Sequence, residues 1–215
     1  MEHVLKQDTH VAHHFSDAEQ QRDSAKLGMW IFLITEVLLF SGLFTAYAVY
    51  RAWHPETFIN AHKFLNVGLG TLNTVVLITS SVTIALGIRS IQVNRRKQAI
   101  GLFIATLVLA AAFLVVKYFE YSHKTHLGQL PGKYYTFTGI EGTDPQVFFS
   151  VYFLLTGLHG LHIVFGMAAI TWILIRTINN EFSPEYFTPA ENVGLYWHLV
   201  DLIWIFLFPL LYLIG

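Results

Sequence analysis

His159 and His162 stand three residues apart in Thr-Gly-Leu-His-Gly-Leu-His-Ile-Val-Phe-Gly (156–166), an otherwise apolar stretch. His198 and Asp201 repeat that spacing in Trp-His-Leu-Val-Asp, Glu36 lies alone in Ile-Thr-Glu-Val-Leu-Leu-Phe (34–40), and Glu120 is flanked by Phe119 and Tyr121. Helical residues three or four apart share a face, so each pair can act as one unit. Imidazoles and carboxylates placed this way can ligate a metal, relay protons or tie helices together through hydrogen bonds. Two histidines plus carboxylates from several helices are the raw material of a di-iron bundle, but the repeated Glu-x-x-His pattern of those sites is absent. Haem needs axial histidines on facing helices, which spacing alone leaves open. On residue chemistry, a structural hydrogen-bonded network comes first, proton handling second and metal third.

The elements that position these groups follow from composition. Of 215 residues, 54% are hydrophobic and 13% charged, whereas a soluble domain has about 25% charged residues. Five apolar segments run over roughly 27–50, 67–88, 99–118, 147–175 and 193–214. Each is near or above the ~20 residues that carry a helix across ~30 Å of hydrocarbon. Backbone polar groups in lipid must be satisfied within the segment, which leaves helix as the form. The expected fold is an all-α integral membrane protein: a polar tail over 1–26, then a five-helix transmembrane domain over 27–215. The net charge of −1 speaks against nucleic acid, and the absence of cysteine excludes disulfides, thiolate metal sites and c-type haem attachment.

Orientation comes from the loops. Arg89, Arg95, Arg96 and Lys97 form a basic connection, and eight of the 13 Lys and Arg residues fall on its side of the membrane. That side is expected to be cytoplasmic, with the N-terminus inside and the C-terminus periplasmic. The tail does not read as a signal peptide. His10, His13 and His14 within it could chelate a metal if helical, but read better as a solvated tail. Ser16-Asp17-Ala18-Glu19 reads as the start of a short helix leading into the first span, Asp144-Pro145 as the start of the fourth, and Thr188-Pro189-Ala190-Glu191 as a capping box opening the fifth. Pro209 removes one helical hydrogen bond, which predicts a kink near Ile205.

Ionisable groups in lipid are costly and mark function. Glu36 lies ~14 Å from the inner end of its helix at 1.5 Å per residue. Glu36, His159, His162, His198 and Asp201 share a depth range from the midplane to the inner third, whereas Glu120 falls near the outer end of its helix in a separate cluster. Glu36 should face the bundle, protonated or hydrogen-bonded. Asp201 could pair with His198 or His162. Gly157, Gly160 and Gly166, with Thr156, Ser41, Gly42 and Ala46, are expected to let backbones approach, and Asn73 to bond across helices.

These residues lie in stretches similar to a known family. The segments 26–47, 72–87, 119–121, 156–166 and 196–215 resemble subunit III of the haem–copper terminal oxidases, the subunit 3 family of cytochrome c and quinol oxidases, in its five-helix bacterial form. The Gly-x-His-Gly-x-His and Trp-His-x-x-Asp motifs and the glutamate of Ile-Thr-Glu-Val-Leu-Leu-Phe are the specific points. The resemblance implies a bacterial inner-membrane protein without redox chemistry of its own, with no cofactor or metal bound by this chain. Haem and copper belong to partner subunits. It implies packing against subunit I, contact with subunit II and other oxidase subunits, support of proton uptake, and protection of the oxygen-reducing site. A larger respiratory assembly could include the complex. His159 and His162 then belong to an internal network, Glu36 is the membrane-embedded glutamate of the family motif, and Glu120, His198 and Asp201 take its other buried polar positions. Phospholipid fills a cleft in the seven-helix members; the two helices missing here formed one of its walls. An accessory subunit of nitric oxide reductase and a stand-alone proton or solute channel are the alternative functions. The channel fits poorly, because apolar residues separate two polar depths.

Overall fold

The protein is described here from a computed structural model, covering residues 12–140 and 144–214. His10 lies outside the described residues. Among them the regular structure is helical, with no strand: α1 (Ala18–Trp53), α2 (Pro55–Ala61), α3 (Val67–Gln92), α4 (Arg96–His126), α5 (Gln146–Ile178) and α6 (Thr188–Tyr212). All but the short α2 are long and apolar enough to cross a membrane. The surface of the bundle is apolar, with Leu38, Val108, Phe165 and Phe206 among the side chains turned outward. That is the arrangement a lipid solvent favours.

α1 begins earlier than the first apolar segment. Asp17 caps it by accepting from the Gln20 N–H at 2.7 Å, and that bond holds the Asp17 carboxyl below the usual carboxylate range. Among the described residues no separate short helix precedes the span. Residues 18–26 contain neither Gly nor Pro and are mostly good helix formers, so the expected tail continues into the membrane segment without a break. α6 also differs at its start. Thr188 is already helical, and the preceding Phe187 makes no side-chain cap bond. Glu191 therefore does not close a capping box; it reaches Lys26 of α1 at 3.2 Å. Pro209 lies inside α6 three residues before its end at Tyr212. Less than a turn of helix follows it.

α3, α4, α5 and α6 run up and down as antiparallel neighbours. Thr83 meets Thr106 at 2.8 Å between α3 and α4, and Trp204 of α6 donates to Thr74 of α3 at 3.0 Å. The basic connection between α3 and α4 is a tight turn with Asn94 at φ 58°. From it, Arg96 donates to the Thr177 carbonyl at 2.8 Å and caps the end of α5.

α1 joins this bundle differently. Its buried side chains Leu33, Phe40 and Tyr47 form a single stripe, one every seven residues, against α5 and α6. Polar ties supplement the stripe at several heights. Lys26 pairs with Glu191, Asn192 donates to the Ala25 carbonyl, Glu36 meets His162, and Tyr47 donates to the Leu210 carbonyl. Leu210 lies in the last turn of α6, where carbonyls lack a helical partner.

Close backbone approach occurs at fewer places than the small residues suggest. A methyl group added at Gly166 would sit 2.6 Å from the Trp197 ring, and one at Gly87 would sit 2.7 Å from Phe103. At Gly160 and Gly42 it would meet nothing within 4 Å, and at Gly157 only the Tyr121 hydroxyl at 3.8 Å. Gly160 and Gly157 are therefore not close-packing positions within this chain.

Candidate functional site

Two polar clusters lie inside the bundle, with a set of buried polar side chains between them. The first joins α1 to α5. Glu36 Oε2 is 2.7 Å from His162 Nε2, and the two side chains are 15% and 9% exposed. The other ring nitrogen, Nδ1, faces the Leu158 carbonyl at 2.8 Å, one helical turn back. A carbonyl oxygen only accepts, so Nδ1 carries a hydrogen. The proton between Nε2 and the carboxyl then has two resting places. Glu36 donates O–H to a neutral ring, or an imidazolium donates N–H to a carboxylate. Either way the pair is neutral overall, which suits its place in the membrane. Phe40 packs edge-on against the His162 ring, and Tyr196 donates to the His162 carbonyl at 3.3 Å.

His159, three residues earlier, does not join that pair. It is fully buried, stacked on Trp204 at 5.3 Å and met edge-on by Phe113 at 5.6 Å, with no hydrogen-bond partner on either nitrogen. His198 and Asp201 share a face of α6 without bonding each other. His198 Nδ1 lies 2.8 Å from the Ser81 hydroxyl of α3. Asp201 is buried, and neither of its oxygens has a hydrogen-bond partner of ordinary length; Ser81 is also its electrostatic neighbour. The expected pairing of Asp201 with His198 or His162 is thus replaced by a bond from α6 to α3. Asn73 is buried and its amide likewise lacks a partner. The cross-helix bond expected of it is made one residue later by Thr74.

The second cluster lies toward the end of the bundle opposite the basic turn, on α4, α5 and α6. Glu120 pairs with Lys117 at 2.9 Å, and both are buried. Tyr212 donates toward both carboxylate oxygens, at 2.7 and 2.9 Å. Lys117 also bonds the hydroxyls of Tyr152 at 3.1 Å and Tyr212 at 3.0 Å. The rings of Tyr121, Tyr152, Trp204 and Tyr212 surround its ammonium at 5.1 to 5.6 Å, so cation–π attraction replaces part of the lost hydration. Nearby, Tyr121 and Thr156 share a 2.5 Å hydroxyl bond. Lys124, one turn beyond Glu120, is buried as well.

Sequence reasoning singled out Glu120 but passed over Lys117, Lys124, Tyr152, Tyr212 and Ser81. A charge count by loops places the two lysines on the outer side, among the five Lys and Arg residues opposite the basic connection. Their offsets from Glu120, three residues before and four after, put all three on one helical face, and that spacing is the signal that could have found them.

Among the described residues, no group of three or more His, Cys, Asp or Glu side chains is gathered as a metal site would require. The first cluster is a hydrogen-bonded pair between α1 and α5, and the second is an ion pair within α4 that Tyr152 and Tyr212 tie to α5 and α6. The sequence pattern of the family described as cytochrome c oxidase subunit III matches residues 2–215. The chain belongs to that family. It is 34% identical to a probable cytochrome c oxidase subunit 3 of Nocardia farcinica, over 87% of both chains. It is 30% identical to the quinol oxidase subunit 3 of Bacillus subtilis, over 96% of this chain and 97% of that one. It is also 28% identical to the heme-copper oxidase subunit I+III of Aeropyrum pernix, covering 90% of this chain but only 23% of that longer protein. Subunit III relatives thus carry the names of both cytochrome c and quinol oxidases. The family and the five spanning helices make this a multi-pass membrane protein of an oxidase complex.

Proposed function

We propose that this chain is the non-redox subunit III of a proton-pumping haem–copper terminal oxidase in a bacterial inner membrane. In this reading it stabilises subunit I, contacts subunit II, supports proton uptake and holds no catalytic centre, haem or copper of its own. The basic α3–α4 turn is taken as cytoplasmic, which puts the N-terminus inside and the C-terminus in the periplasm. The Aeropyrum relative supports the pairing with subunit I, since its name assigns both subunits to one polypeptide. The observation that carries the proposal is the Glu36–His162 pair. It keeps one shared proton at membrane depth on a helix that carries no other acidic or basic side chain between Lys26 and Arg51. Such a pair can brace α1 and pass its proton between carboxyl and ring without changing the charge of the bundle.

The test compares Glu36→Ala and Asp201→Asn in the purified oxidase. Both should reduce retention of this chain, or shorten the number of turnovers before inactivation, while the haem optical spectrum stays intact. Loss of a haem signal from a complex that keeps all its subunits would overturn the proposal in favour of direct ligation.

A further inference from the structure

We propose that a recess between the last turns of α4 and the α2–α3 connection with the start of α3, at the end of the bundle opposite the basic turn, is a binding site for a phosphate group. The recess has a volume of about 650 Å³, and its polar lining includes Lys63, Asn66, His123 and Lys124. Lys124 is the decisive residue. Its side chain is buried, yet its ammonium, with three N–H groups, makes one 3.3 Å bond, to the Phe64 carbonyl. The rings of Tyr152 and Phe149 lie 5.2 and 5.8 Å from it. Among the described residues Lys124 forms no ion pair. Glu120 attracts it from one turn away but is already paired with Lys117, so these three groups together carry one net positive charge, whose cost an anion in the recess would offset.

Glu120 also lines the recess, but its carboxylate is already held by Lys117 and Tyr212. The charge it would oppose to an anion is thereby cancelled. Lys63 and His123 are exposed and line the same recess as Lys124. A phosphate there would meet Lys63 and Lys124, and His123 as a further donor. Phe64, Leu69 and Phe119 supply apolar walls, a combination that suits the headgroup and first methylenes of an anionic lipid. No residue of α1 lines the recess.

The phosphate could come from a lipid or from solution, and one experiment separates the two. The oxidase, purified with its partner subunits, is placed in bilayers carrying a photoactivatable phosphatidylglycerol or phosphatidylcholine, and cross-links are mapped by peptide mass spectrometry. Phosphatidylglycerol should label peptides covering 63–69 and 119–124 in preference to phosphatidylcholine. Labelling there should fall about tenfold in the surface variant Lys63→Ala/His123→Ala, the loss expected for a charge-assisted hydrogen bond. Lys124→Met should fall as far if it folds. Variant-sensitive labelling that resists millimolar inorganic phosphate assigns the site to lipid; labelling that phosphate displaces assigns it to the free ion. Equal labelling by both lipids, unchanged in the surface variant, would overturn the proposal.

Discussion

Glu36 grips His162 from across the seam between α1 and α5, and Leu158 fixes the opposite nitrogen of the same ring. The ring cannot turn away from the carboxyl without losing both bonds. Because α1 buries so few side chains, this pair contributes much of what ties the middle of that helix to its neighbours.

Removing either partner should therefore cost more than a surface bond would. Glu36→Ala and His162→Ala should each destabilise the chain by ~1.5–3 kcal/mol, the range for a hydrogen bond involving a charged group. Glu36→Gln, which keeps a hydrogen-bonding tip, should cost ~1 kcal/mol or less. Thermal unfolding of the purified complex in a double-mutant cycle checks this. Additive losses for the two alanine variants would show that the pair is not coupled.

Carbodiimides that partition into lipid should modify Glu36, because the carboxyl can rest in its acid form and borders the exposed apolar side chains Val37, Leu38 and Leu39. Water-soluble carbodiimides should miss it. Glu120 should resist both kinds, since both its oxygens are hydrogen-bonded and its side chain is 6% exposed. Peptide mapping of the labelled protein reads this directly, and rapid labelling of Glu36 by the soluble reagent would place the carboxyl in water.

At the other cluster, Lys117→Met should strip Glu120 of its cation and cost ~3–5 kcal/mol, the penalty for breaking one side of a buried ion pair. Adding Glu120→Gln to that variant should restore part of the loss, because the uncompensated charge goes with it. The yield and melting temperature of the assembled complex would reveal the rescue. A double variant worse than Lys117→Met alone would mean that the carboxylate's bonds to Tyr212 outweigh the cost of its unpaired charge.

The glycines offer a packing test. Gly166→Ala pushes a methyl group into the Trp197 ring and should cost ~1–3 kcal/mol as an overpacked site. Gly160→Ala, on the same helix, meets open space and should be neutral or gain up to ~1 kcal/mol from helix propensity. If Gly160→Ala instead weakens retention of the chain in the oxidase while leaving its own melting unchanged, that face is covered by another subunit.

The spanning helices were legible because lipid imposes one simple rule, a run of apolar residues long enough to cross. That rule places α1, α3, α4, α5 and α6 but says little of their ends. Residues 18–26 are polar yet helical, since helix formation needs propensity and a cap such as Asp17 rather than apolarity. The membership of the polar sites was legible, but their pairing was not. Depth puts Glu36, His162, His198 and Asp201 within reach of one another, whereas partner choice depends on which faces turn together. His198 finds Ser81 on α3, and Asp201 at the same face is left without a bond. Lys117 and Lys124 went unseen because loop counting treats a lysine near a helix end as wet. The tyrosines and Trp204 that enclose Lys117 come from helices far away in sequence.

The ties along α1 recur from Lys26 through Glu36 to Tyr47. A rod pinned at three heights can neither slide along its neighbours nor spin about its axis. The broad greasy flank it turns away from the bundle is thus held at a constant bearing, a fixed plane on which a larger machine could be built.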